Sequence, residues 1–280
     1  MIAYILGGIL AAALLFFAGL MLLTVPGKGA DFTPFLGWRY AHRGLFTPGT
    51  DAPENSRKAF RLAAEAGYGM EFDVHLSADG KLFVMHDEEL SRTAEGTGRI
   101  VDKTAAELSP VTLRGTAETV PTFEEVLAIV GGRVPLIIEL KSVDGNAPAL
   151  VDAVMAVLKD YDGVYCLESF DPQAVREMRR YPAAIRGQLS THPHRKGQAI
   201  PDRFFCNLGF NLFTRPHFVA YDVTQVKSHL GVILCRKLWR VQTILWTIRT
   251  PEQMDFCLKE GCLPIFEKTA LSEGGDSRAD

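Results

Sequence analysis

Four short apolar runs each end in ionisable side chains. Tyr40-Ala41-His42-Arg43-Gly44 delivers a histidine and an arginine, and Leu82-Phe83-Val84-Met85-His86-Asp87 a second histidine beside a carboxylate. Met70-Glu71-Phe72-Asp73-Val74 and Ile138-Glu139-Leu140-Lys141 carry carboxylates and a lysine in alternate positions. Alternate side chains of a strand share a face, so Glu71 lies beside Asp73 and Glu139 beside Lys141. Three carboxylates facing one interior repel each other unless a cation neutralises them. An all-oxygen donor set suits a hard divalent ion, Mg²⁺ or Ca²⁺, better than zinc. Imidazoles exchange protons near neutral pH, which makes His42 and His86 an acid–base pair. Arg43 with its planar fork and Lys141 as a point charge suit phosphate oxygens. Together the set fits metal-assisted cleavage of a phosphodiester. Singly, each residue has a plainer reading: a core histidine, or a carboxylate in a surface ion pair. Apolar neighbours around the carboxylates, and a polar neighbour beside each histidine, favour the shared site.

Bringing these groups together takes several strands that end on one side. Apolar runs at 40–44, 70–74, 82–85, 134–141, 164–168, 185–189, 218–222, 243–248 and 262–266 read as strands. Helical patterns intervene at 53–67, after Thr122, and at 148–159, 172–180, 223–236 and 251–259. This alternation predicts a parallel sheet with crossover helices. Nine candidates exceed by one the eight strands of a closed barrel, so one is peripheral or misread. An open doubly wound sheet is the competing architecture, but it lacks a glycine-rich dinucleotide loop. Chemistry at the ends of several strands is the barrel pattern. Asn55 and Ser56 read as helix caps, and Thr122 with Glu125 as a capping box. Residues 88–121 read as a loop-rich excursion. His75 shares the face of Glu71 and Asp73 but is expected past the strand end, as a solvated loop residue.

The chain has 280 residues, 47% of them apolar and 22% charged, with a net charge of -3. That is ordinary globular composition, and it offers no basic cluster for nucleic acid. Residues 2–25 are the exception, because they carry no charge. As a helix this stretch can span a bilayer, and it lacks the basic start and short core of a cleaved signal. Lys28, Arg39 and Arg43 follow it with no Lys or Arg before it, which puts the following domain in the cytoplasm. The five cysteines are scattered and suggest neither zinc nor a disulfide framework. The expected organisation is a transmembrane anchor at 1–25, a linker at 26–38, one barrel at 39–270 and a flexible tail at 271–280. Phe204-Phe205-Cys206 and Lys237-Leu238-Trp239-Arg240 read as barrel-helix core before a lipid-facing patch.

An ordered set of short motifs then carries a family resemblance. It comprises His42-Arg43-Gly44, Pro53-Glu54-Asn55-Ser56, Glu71-Phe72-Asp73-Val74, His86-Asp87 and Arg92-Thr93. It continues with Pro121-Thr122-Phe123-Glu124-Glu125, Ile138-Glu139-Leu140-Lys141, Ser169-Phe170-Asp171 and Trp246-Thr247. The chain resembles the glycerophosphodiester phosphodiesterase family from about residue 39 to 267. The resemblance implies a TIM (β/α)8 barrel, here preceded by a single transmembrane helix. It also implies hydrolysis of glycerophosphodiesters to glycerol 3-phosphate and an alcohol. Carried over, Glu71, Asp73 and Glu139 bind one divalent cation, Mg²⁺ or Ca²⁺. His42 and His86 become base and acid in either order, and Arg43 and Lys141 contact the phosphate. Glu54 lies at the site's edge, and Trp246 packs against the substrate or belongs to the core. Two departures, Arg249 in place of an asparagine and the ending Leu263-Pro264-Ile265-Phe266-Glu267, bear on substrate identity. A lysophospholipid at the membrane is the alternative substrate, a decayed tethered barrel the non-enzyme reading.

Overall fold

The computed structural model describes residues 1–191 and 204–271. The expected tail past Leu271 lies outside the described residues. Nine strands form one sheet: β1 (Tyr40–His42), β2 (Gly69–Leu76), β3 (Leu82–Val84), β4 (Leu136–Leu140) and β5 (Tyr165–Ser169), then β6 (Arg186–Ser190), β7 (Phe218–Asp222), β8 (Gln242–Ile248) and β9 (Leu263–Phe266). Eight of them run parallel and close on themselves, because β1 pairs with both β2 and β9. The ninth, β3, is an antiparallel hairpin partner of β2. It is the surplus strand, and the fold is a TIM barrel.

Two apolar layers hold the strands. Phe60, Phe72, Phe123, Leu136 and Val219 belong to the layer between barrel and helices. Tyr40, Ile137, Cys166, Phe218 and Ile265 belong to a second cluster that fills the lower interior. The tight approach explains Gly69: a Cβ there would lie 2.7 Å from the Tyr40 ring. Phe35 plugs the lower end, where its carbonyl accepts from the Tyr40 hydroxyl at 3.0 Å.

The helix Arg57–Glu65 starts at Ser56, whose Oγ accepts from the Ala59 amide at 3.0 Å. The helix Phe123–Val130 opens with the reciprocal Thr122–Glu125 capping box, a device of about 1 kcal/mol. Expectation and structure differ at 223–236, where the helix is only Leu230–Lys237. The preceding residues turn instead, since the Asp222 carboxylate accepts from the Thr224 amide and hydroxyl. The 88–121 excursion is not bare loop. It contains one-turn helices and its own buried cluster, which includes Met85, Leu90, Ile100, Leu108 and Leu113.

His75 corrects another expectation. Pairing with β3 extends β2 to Leu76, with His75 opposite Phe83. His75 is buried, and its Nε2 lies 3.3 Å from the His86 carbonyl. Cys206 is buried, as the core reading expects, whereas Leu238 and Arg240 are exposed.

Candidate active site

The site stands at the C-terminal ends of the strands. His42 closes β1, Glu71 and Asp73 lie in β2, and Glu139 lies in β4. Register explains the meeting: His42 pairs with Glu71, Asp73 with Glu139, and Glu139 with Glu168 of β5. Below them the same inward positions are apolar, so the carboxylates sit on a dry floor.

Ligand atoms of Glu71, Asp73 and Glu139 all lie within 4.8 Å of one another, and all three residues are buried. Lys141 Nζ reaches Asp73 at 3.0 Å and Glu139 at 2.7 Å. Arg43 meets Glu54 at 2.8 Å and Asp73 at 3.6 Å. Burial, with the Asp73 and Glu139 charges beside it, pushes the Glu71 carboxyl well up. Burial also raises Glu139, to about 7, against the pull of Lys141. Burial raises Glu168 strongly too, with Glu139 adding to the effect. Burial alone would raise Asp73, but Lys141, His86 and Arg43 hold it well below the usual range. Four buried carboxylates thus crowd around Arg43 and Lys141, and burial with their mutual repulsion pushes Glu71, Glu139 and Glu168 up. The Glu168 Oε2 atom is buried without a hydrogen-bond partner. This clustered oxygen donor set fits a hard divalent cation.

Burial lowers both histidines, opposed in His42 by the hydrogen bond to Glu267 and in His86 by the Asp73 charge. His86 Nδ1 pairs with Asp87 at 2.6 Å, and Arg92 clamps Asp87 and Glu54 together. Hence Glu54 sits at the rim, tied to two arginines. A cavity of about 160 Å³ is lined by His42, Arg43, Glu71, His86, Glu139 and Trp246, among others. A wider opening of about 490 Å³ beside it is lined by His75, His86, Lys141 and Phe170. Trp246 stacks edge-on against Phe170, with its Nε1 buried and unpartnered. All the sequence-selected residues but Asp73 and Glu54 line one of these two cavities, and those two are tied to the site through Arg43.

Three residues escaped the sequence reading. Asn55, expected as a cap, has φ 56° and donates from Nδ2 to Asp73 Oδ2 at 3.0 Å. Glu168 follows the logic that found Glu139, an acid inside an apolar strand, and was legible. Glu267 was not. Its Oε1 meets His42 Nδ1 at 3.4 Å, and Arg249 grips both its oxygens at 2.9 and 3.0 Å. Arg249, one of the two departures, therefore grips the carboxylate that meets His42.

Residues 42–267 match the model of the Glycerophosphoryl diester phosphodiesterase family. A glycerophosphodiester phosphodiesterase of Caldanaerobacter subterraneus subsp. tengcongensis is 32% identical over 150 residues, covering 50% of this chain and 60% of that protein. Glycerophosphodiester phosphodiesterase 1 of Bos taurus is 34% identical over 219 residues, covering 74% and 60%. The chain thus spans less than two thirds of these relatives' length. An Oleispira antarctica phosphodiesterase, solved with its product sn-glycerol-3-phosphate, superposes with a TM-score of 0.68 at 25% identity. That superposition covers 84% of this chain and 94% of the other. With the barrel, the mouth and the match in agreement, this chain belongs to the glycerophosphoryl diester phosphodiesterase family.

Proposed function

We propose that this protein is a divalent-metal-dependent phosphodiesterase. It hydrolyses glycerophosphodiesters to glycerol 3-phosphate and an alcohol, at a membrane to which its N-terminal helix anchors it. The observation that carries the reading is the shared cavity: His42, His86, Arg43, Glu71, Glu139 and Glu168 line one space, with Asp73 beside it against Arg43 and Lys141. The names of the relatives support the substrate class.

Glu71, Asp73 and Glu139 would hold the cation, with Glu168 beside them. Bound there, it would polarise the phosphoryl oxygen and balance the carboxylate charge. Burial keeps His42 and His86 neutral near pH 7, so either can accept a proton from the attacking oxygen. The partner imidazole takes up a proton from solvent before the step and gives it to the leaving alkoxide, and the base returns its proton to solvent afterwards. Arg43 and Lys141 draw phosphate oxygens into the cavity, and Trp246 offers its ring and free N–H to the glycerol or leaving group.

The anchor reading rests on the helix Ile2–Leu23, apolar throughout and with its 4–23 stretch unburied at mean hydropathy 2.5. At about 1.5 Å per residue it matches a bilayer core of roughly 30 Å. The positive charges after it favour a cytoplasmic barrel. This helix also favours a second substrate class, lysophospholipids.

Purified full-length protein, assayed with and without Mg²⁺ or Ca²⁺, tests the reading on glycerophosphocholine, glycerophosphoethanolamine and lysophosphatidylcholine. Metal-dependent release of glycerol 3-phosphate from the first two is expected. Choline-releasing cleavage of lysophosphatidylcholine alone would favour the second substrate class. Activity that survives exhaustive chelation overturns the metal role, and hydrolysis of none of the three overturns the enzyme.

A further inference from the structure

The foot of the N-terminal helix is fastened to the barrel wall. Thr24 is fully buried, and its hydroxyl accepts from Trp239 Nε1 at 3.3 Å. Its carbonyl accepts from Asn211 Nδ2 at 3.5 Å and from the Cys235 thiol at 3.6 Å. Three residues on, the Gly27 amide donates to the Pro216 carbonyl at 2.8 Å. Only the last turn of the helix is partly covered; the rest projects away from the barrel. A bilayer that holds this helix must therefore lie against the wall where Thr24 docks.

That wall is apolar in an unusual place. Among the described residues outside the anchor, six large apolar side chains are exposed: Leu36 and Leu62, and on this wall Phe213, Leu230, Ile233 and Leu238, the last four at 38–53%. Phe213 belongs to the same short helix as Asn211 (Asn211–Thr214), and Leu238 precedes Trp239 in the chain, so both lie near the docked Thr24. Leu230, Ile233 and Lys237 form the outward stripe of the helix Leu230–Lys237. Its inward residues Val232, Leu234 and Cys235 are buried. Lys237, which also pairs with Glu260 at 3.0 Å, and Arg240 are exposed among these apolar groups, and Arg179 lies beside Phe213 through a 2.8 Å bond to its carbonyl. Apolar side chains interleaved with cations suit the boundary of acyl chains and anionic headgroups.

We propose that Phe213, Leu230, Ile233 and Leu238, with Lys237 and Arg240, form a face that lies in the headgroup region of an anionic bilayer. The proposal rests on the membrane-anchor reading and goes beyond it. The anchor becomes one part of a continuous lipid-contacting surface, and the barrel is held against the membrane instead of swinging on a tether. Site residues at the C-terminal strand ends are not part of this face.

The test uses the full-length chain in phosphatidylglycerol-containing vesicles, with an environment-sensitive fluorophore on Leu238→Cys. The five native cysteines are buried, so labelling is selective. Parallel labels at Leu10→Cys in the anchor and Ser91→Cys near the mouth serve as references. Lipid-borne quenchers are expected to dim the labels at 10 and 238 but not at 91. Lys237→Glu with Arg240→Glu should lose the quenching at 238 while that at 10 persists. Quenching at 10 without 238 overturns the proposal and leaves the anchor standing; none at 10 overturns both. A label at 238 shielded from water yet unquenched by lipid would mean a protein covers this face, and would also overturn it. Equal quenching at 91 overturns it as well, because no one face would then be selected.

Discussion

His42 is held from both sides. Its Nδ1 meets Glu267 at 3.4 Å, and its Nε2 lies 3.8 Å from Glu71. Glu267 stays ionised, held down to about 2 chiefly by its bond to His42 and further by Arg249. An ionised acceptor at Nδ1 favours the proton there, which would leave Nε2 able to accept one in the proposed acid–base role. Glu267→Gln is therefore expected to lower kcat by roughly 10–100-fold, the usual effect of losing an orienting partner. KM and Tm should barely move, and Glu267→Asp should restore part of the rate. Unchanged kcat in Glu267→Gln would remove the positioning role. These contacts also show what a sequence discloses at this scale. Strand alternation alone placed Glu71 beside Asp73 and Glu139 beside Lys141. The His42–Glu267 contact spans 225 residues and exists only because β9 closes against β1. No local pattern encodes it. His75 was misjudged because the hairpin, not the barrel, sets the length of β2.

At the scale of elements, the 88–121 excursion supports one wall of the mouth. Its cluster of Leu90, Ile100, Leu108 and Leu113 anchors the segment that carries Arg92, which clamps Asp87 and Glu54. Asp87 in turn holds His86. Strands and capped helices were legible because apolar period and polar caps repeat locally. The excursion was not, since its buried residues follow no single period and its helices last one turn. Truncating a fully buried leucine here, Leu108→Ala, should cost about 2–5 kcal/mol. The loss should fall on this segment first. Hydrogen exchange is expected to accelerate across 85–120 while β4–β8 stay protected, with kcat reduced and metal affinity kept. Uniform acceleration over the whole barrel would show that the excursion is no separate unit.

For the whole molecule, closing the lower end matters as much as shaping the mouth. Residues after the N-terminal helix run beneath the strands, where Phe32 meets Phe218 edge-on and Phe35 plugs the interior. His217 sits in this seam. A Cβ on Gly27 would come within 2.8 Å of its ring, and its Nδ1 accepts from the Arg186 amide at 3.4 Å. Burial, aided by the Arg186 charge, lowers His217 to about 4. Protonation would end the acceptor role of Nδ1 and place a second cation beside Arg186. Because the folded value lies below the ordinary one of about 6.5, His217 opposes folding only once it is protonated in the unfolded chain. Its stabilising effect is complete above about pH 6.5 and lost as pH falls toward 4. Glu139, raised to about 7, acts in the opposite sense over the same range, so the wild-type curve mixes both. The comparison that isolates the seam is His217→Asn, which keeps an acceptor but cannot take up the proton. Its Tm should fall less than that of the wild type between pH 7.5 and pH 5. Equal falls would mean that His217 is not held neutral at the base of the barrel.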